Sequence, residues 1–173
     1  MRGCIKCSPA GLITGAIGTI ISLSFMITYA VALGKLNGVP EGDRCVAYED
    51  REYIDVYPKW KVTLDFGVGM WAAILVCSLF HVCAGSMPVT AGISCFCNIC
   101  CYVPLIVVQS ILLGVYRFVW YGAVCAESGV EDFQSVGGQM MSLFIGQMVM
   151  LFMFPCIMGC GTVTNVKNTE NMM

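Results

Sequence analysis

The sequence predicts an all-α membrane protein, a bundle of four transmembrane helices with a structured first exoplasmic loop, and three observations lead there. Hydrophobic residues make up 58% of the chain and charged residues 12%, with a mean hydropathy of +0.79, whereas a soluble domain carries about 25% charged residues. Four apolar stretches divide the 173 residues, each offering the roughly 20 residues a helix needs to cross hydrocarbon. The twelve cysteines fall unequally on the two sides of such a path. Cys4, Cys7, Cys83, Cys95, Cys97, Cys100, Cys101, Cys156 and Cys160 collect at one set of span ends, with Cys77 on the way there, while Cys45 and Cys125 stand alone on the other side. The spans take about half the length, so residues 1–173 are expected to form a single membrane domain.

The first span is expected over about Gly11–Gly34, closed by the polar run from Lys35 to Pro40. Arg2 and Lys6 before an apolar run, with Ala30-Val31-Ala32 after it, also fit a signal peptide, but the run is too long and reads as a retained signal anchor. The second span is expected over about Phe66–Ala84, followed by the turn Gly85-Ser86-Met87-Pro88. The third, about Ile93–Tyr121, is long enough to tilt. The fourth, about Met140–Cys160, leaves a short polar tail. Between them lie loops of about 35–65 and 122–139. The first holds Val46, Tyr48, Tyr53, Ile54, Val56, Tyr57 and Trp60 among charges, a pattern for a short strand, hairpin or interfacial segment.

Sidedness follows from two opposing signals. Lys35, Arg44, Arg51, Lys59 and Lys61 in the first loop outnumber Arg2, Lys6 and Lys167 at the other ends, which taken alone puts that loop in the cytoplasm. Both loops are nevertheless acidic, the second carrying Glu127, Glu131 and Asp132 and no basic residue, and each holds one cysteine. That suits an oxidising exoplasmic face and cytosolic termini, at the plasma or endolysosomal membrane. Cys45 and Cys125 then have only each other to pair with. Two free thiols are the alternative, decided by whether the Cα atoms come within about 4.4 to 6.8 Å. A bridge would close about 80 residues and make the loops one cap.

Cys4, Cys7, Cys95, Cys97, Cys100, Cys101 and Cys160 would lie at the cytosolic membrane edge, where thiols are candidates for lipidation. Cys4 to Cys7 and Cys97 to Cys100 are C-x-x-C pairs, so a zinc site or a redox pair competes with that reading. Their apolar neighbours favour lipidation, or packing as small hydrophobes. No cofactor or metal is expected.

Polar groups inside the spans are few. Gln109 and Gln147 fall at mid-bilayer if the last two spans run antiparallel, as inter-helix hydrogen-bonding groups. Asp65 and Arg117 sit near the outer interface, as a pair or as two separate anchors, and His81 near the inner one reads as an anchor. Small residues at helical spacing, Gly11, Gly15 and Gly18, then Gly69 and Ala73, then Ser142 and Gly146, allow close helix approach within the bundle or with a partner. The methionines of the fourth span, Met140, Met141, Met148, Met150, Met153 and Met158, read as adaptable filler rather than a copper path.

A net charge of −2 excludes a basic nucleic-acid surface, and no serine-hydrolase elbow, zinc-protease helix or phosphate loop occurs. The expectation is a protein that is not an enzyme. The opening Met1-Arg2-Gly3-Cys4-Ile5-Lys6-Cys7, followed by Gly11-Leu12-Ile13-Thr14-Gly15, together with four spans and a larger first loop, resembles small four-pass tetraspan proteins. It is loosely similar to the lysosome-associated four-span proteins and to insect tetraspans of septate junctions. The paired-cysteine signature of claudins is missing, and the tail from Gly161 has no tyrosine. The resemblance implies assembly, trafficking or accessory work without chemistry. The expected function is therefore an accessory or scaffolding subunit, with membrane lipids and a larger membrane protein or further copies of itself as partners. A small transporter or channel subunit is the alternative, and a membrane thiol redox protein the second.

Overall fold

The computed structural model describes residues 9–49, 52–84, 102–127 and 130–170, with the backbone alone for 9–12, 14, 49, 52, 80–84 and 154–170. In chain order these residues form α1 (Pro9–Asn37), a 3-10 turn (Glu41–Asp43), β1 (Val46–Glu49), β2 (Glu52–Asp55), α2 (Tyr57–Ala84), α3 (Val103–Phe118), α4 (Trp120–Ala126) and α5 (Glu131–Glu170). Three helices are long and apolar enough to cross a membrane, and four if α3 and α4, bent by 71° at their junction, are taken as one span.

The helices pack side by side with antiparallel neighbours. Along α1 and α2, Gly18 faces Ser78, Phe25 stacks on Trp71 with ring centroids 4.4 Å apart, and the Tyr29 ring lies on Gly67. These contacts advance by seven and then four residues on α1 and retreat by the same steps on α2, the spacing of left-handed packing. A methyl group at Gly67 would run into the Tyr29 ring, so glycine there is what lets the ring reach the bundle centre. On the opposite side, Gly114 of α3 meets Phe144 of α5, and Gly146 meets Phe25 of α1.

Boundaries differ from the expected spans for local reasons. α2 begins at Tyr57, inside the expected first loop, because the Asp55 carboxylate accepts the Tyr57 N–H at 3.0 Å and Pro58 tolerates the first helical turn. The expected third span covers 93–121, of which the structure describes 102 onward. There the helix stops at Phe118, and Val119 turns extended (φ −58°, ψ 145°) before α4 starts. α5 runs 40 residues, about 60 Å, twice the hydrocarbon thickness, so it continues well past the expected Cys160 limit.

Above the helices sits a cap. β1 and β2 form a two-stranded antiparallel sheet with Val46 opposite Asp55 and Tyr48 opposite Tyr53. Beneath it Leu36, Val39, Val56, Trp60, Cys125, Phe133, Val136 and Met140 are buried and join cap to helices in one core.

Candidate functional site

Four buried side chains with polar atoms meet at one point, while buried Ser22 donates to the Gly18 carbonyl of its own helix at 2.7 Å and buried Thr63 to that of Lys59 at 2.9 Å. Tyr29 comes from α1, Gln109 and Ser110 from α3, and Gln147 from α5; Tyr29, Gln109 and Gln147 have no exposed surface. The Gln109 amide nitrogen donates to Tyr29 Oη at 3.1 Å and to the backbone carbonyl of Thr63 on α2 at 2.9 Å. The Gln147 carboxamide spans Tyr29 Oη at 2.8 Å and Ser110 Oγ at 3.1 Å, and Ser110 Oγ donates to the Ile106 carbonyl at 2.8 Å. Every long helix thus contributes a partner.

Counting protons sets the direction of these bonds. Ser110 has one hydroxyl proton and spends it on Ile106, and the Tyr29 hydroxyl needs an acceptor. Both demands are met when the Gln147 carboxamide oxygen faces Tyr29 and its nitrogen faces Ser110, since a carboxamide turned half a revolution fills the same envelope. The chain then runs Gln109 to Tyr29 to Gln147 to Ser110 to Ile106, each donating to the next. Gln109 Oε1 is buried with no hydrogen-bond partner. The relay is open at that one oxygen, and its bonds among α1, α2, α3 and α5 resist a slip in helix register, since each further polar group left unpaired in apolar surroundings costs about 1 to 3 kcal/mol.

The second constellation ties the cap down. Cys45 and Cys125 form a disulfide with Cα atoms 5.7 Å apart, joining the start of β1 to α4. Trp60 packs against Phe133, ring centroids 5.5 Å apart and planes tilted by 42°, and its indole N–H donates to the Tyr116 carbonyl at 3.0 Å. That carbonyl lies where α3 breaks and the helical ladder is interrupted, so the indole supplies the missing donor. Gly122 makes the bend possible, because a Cβ there would strike the Tyr116 carbonyl.

The remaining expected residues separate into those used and those left outside. Arg117 does not meet Asp65: its Nε donates to the Gly137 carbonyl at 3.1 Å, while Asp65 is exposed. Gly15 is buried, Gly18 touches Ser78 and Gly146 touches Phe25, whereas Gly69 has nothing within 4 Å and Ala73 is exposed. Gly11 lies on α1 with its surroundings undescribed. Ser142 lines a groove of about 220 Å³ between α1 and α5 with Ser24, Phe25, Thr28, Leu143 and Gly146. The Ser24, Thr28 and Ser142 hydroxyls donate to carbonyls of their own helices at 2.8, 2.9 and 3.1 Å, so the groove offers no spare hydroxyl donor.

Cys4, Cys7, Cys95, Cys97, Cys100 and Cys101 lie outside the described residues; Cys160 and His81 belong to helix backbone whose side chains are not described. Among the described residues no three His, Cys, Asp or Glu side chains come together as a metal site. Tyr29, Thr63, Ser110 and Trp60 were not singled out as site residues from sequence. Tyrosine and tryptophan near span ends read as interface belts, and a backbone carbonyl has no sequence signature. Compared with protein-family models, with characterised proteins and with solved structures, the chain matches none.

Proposed function

We propose that this chain is a four-pass membrane protein of the accessory or scaffolding type, with the disulfide-tied cap on the exoplasmic side and both termini in the cytosol. It associates laterally with a larger membrane protein or with further copies of itself. The observation that carries the reading is a small-residue face on α2 that the bundle leaves open: Gly69, Ala73 and Cys77 follow one another at four-residue spacing, and all are exposed. In lipid, such a face lets a second helix approach closely and exchange lipid contacts for protein contacts. The buried polar groups support the same reading, because they bind one another at the bundle centre rather than lining a passage, whereas conduction asks for polar groups facing a pore.

The experiment is a double substitution, Gly69→Leu with Ala73→Leu. Nothing within 4 Å of a Cβ at Gly69 opposes it, so the fold is expected to survive, judged by an intact Cys45–Cys125 bridge on a non-reducing gel. Blue-native electrophoresis after mild detergent extraction should shift the protein from a complex to the monomer. A complex that persists unchanged removes this face from the reading, and wild-type protein that migrates as a bare monomer removes the reading itself. Flux across liposomes containing the purified protein would favour the transporter class instead.

A further inference from the structure

α4 turns aside where α3 ends, by 71°. A span tilts by about 20° on average, so α4 lies within about 40° of the membrane plane when α3 crosses. The described part of α3 covers about 24 Å in 16 residues, and the apolar sequence runs on ahead of it to Ile93, outside the described residues. The faces of α4 are sorted. Gly122, Cys125 and Ala126 are buried; Cys125 is bridged to Cys45 at the foot of β1, and a Cβ on Gly137 of α5 would strike Ala126. Trp120 and Val124, one turn apart on the opposite side, are 42% and 44% exposed. Just ahead of them the exposed Phe118 meets the Phe144 ring edge-on at 5.5 Å, two turns into the span from Gly137.

Three observations indicate what lies against that side. From Pro104 to Val124 every exposed residue is apolar, so the lipid-facing flank of α3 continues onto α4 without a polar break. None of those exposed residues is small, whereas helix pairing in lipid favours small residues at the contact. The bend also sits at the level of a membrane interface. Lys59 lies 4.3 Å over Tyr121, Lys61 lies 6.0 Å over Tyr57, and Arg117 donates to the Gly137 carbonyl; among the described residues none of the three has a carboxylate within 4 Å. Tyrosine, tryptophan and long cations gather in this way at headgroups. The other helices agree on the height. Lys35, at the end of α1, donates to Ser135 Oγ, two residues from Gly137. From Lys35 back to Pro9 is about 40 Å of helix, and from Lys61 to Ala84 about 35 Å. Each crosses about 30 Å of hydrocarbon and ends within the roughly 40 to 45 Å of the whole bilayer.

We propose that α4 is an interfacial helix, seated along the boundary between headgroups and hydrocarbon in the leaflet on the cap side, with Phe118, Trp120 and Val124 among the acyl chains. Its buried side, carrying Cys125, is turned to the cap. The disulfide then ties β1 to a helix that the bilayer itself holds in place. The inference rests on the chain crossing a membrane and is independent of the lateral partner.

The test uses the full chain in phosphatidylcholine liposomes whose acyl chains carry bromine either near the headgroup or near the chain end. The chain has three tryptophans, and Trp60 and Trp71 are buried, so the emission lost in Trp120→Phe reports on Trp120. That emission is expected to be quenched several-fold more by the shallow bromine than by the deep one, and little by aqueous iodide, as for a side chain about 5 to 10 Å into the boundary. Trp120→Phe combined with Val124→Trp moves the reporter one turn along α4. A helix lying in the plane leaves its depth profile about as it was, whereas an upright one shifts it by about 6 Å. An intact Cys45–Cys125 bridge on a non-reducing gel shows that each variant is folded. Quenching by iodide and by neither bromine puts Trp120 in water, and quenching by none of the three means that protein covers it. Either result overturns the proposal, as does a preference for the deep bromine or a depth profile that moves with the reporter. Shallow quenching in a wild-type protein that migrates as a bare monomer upholds this inference and defeats the accessory reading.

Discussion

Tyr29 is the residue on which the bundle centre depends. Its hydroxyl lies within 3.1 Å of amides from two helices, and its ring occupies the space that Gly67 leaves on a third. Tyr29→Phe keeps the ring and removes the oxygen, leaving Gln109 with one acceptor fewer and Gln147 without its central partner. The expected cost is about 1 to 3 kcal/mol, read as a lower SDS midpoint in unfolding followed by circular dichroism. A Tyr29→Phe protein as stable as wild type would mean that the two glutamines re-pair without it. The glutamines themselves were legible, because an amide in an apolar run has few alternatives to an inter-helix bond. The tyrosine was not, because an aromatic near the end of a span reads first as an interface anchor. Only the register of α1 on α2, a tertiary fact, turns it inward.

At the scale of elements, the long apolar helices were readable from composition, and their ends were not. The α3–α4 break sits in the run Arg117-Phe118-Val119-Trp120-Tyr121, which contains neither proline nor glycine. The glycine that permits it, Gly122, comes three residues later and acts by making room for the Tyr116 carbonyl. The start of α2 had local signals, an aspartate cap and an early proline, but the aromatic and β-branched residues around them favoured strand. Trp60 then stabilises the break from another helix. Trp60→Phe retains most of the packing on Phe133 and deletes the indole donor, so the Tyr116 carbonyl loses its 3.0 Å partner. The expected effect is about 1 to 3 kcal/mol, with faster amide hydrogen exchange confined to 117–127 and unchanged exchange in α1. Uniformly faster exchange would show that Trp60 supports the whole core rather than the bend.

For the molecule as a whole, the disulfide decides whether the cap and the helices behave as one body. It joins residues 80 apart in sequence, and bridges closing loops of that length contribute about 2 to 4 kcal/mol, chiefly by restricting the unfolded chain. In a membrane the unfolded state keeps its helices and their ends near the interface, so the lower half of that range is expected. The strand pair is too short to hold itself together, because isolated two-stranded hairpins are marginal in water. It owes its order to Ala47, Val56 and the Cys45–Cys125 bridge over the buried Trp60. Cys45→Ser and Cys125→Ser should therefore lower stability by similar amounts, and the double substitution should cost no more than either alone, since the first already removes the bond. Limited proteolysis should then cut first between β1 and β2. If both single variants stay as protease-resistant as wild type while keeping their blue-native complexes, the cap is held by packing alone. If they lose the complexes as well as the resistance, the bridge is what presents the cap to the partner.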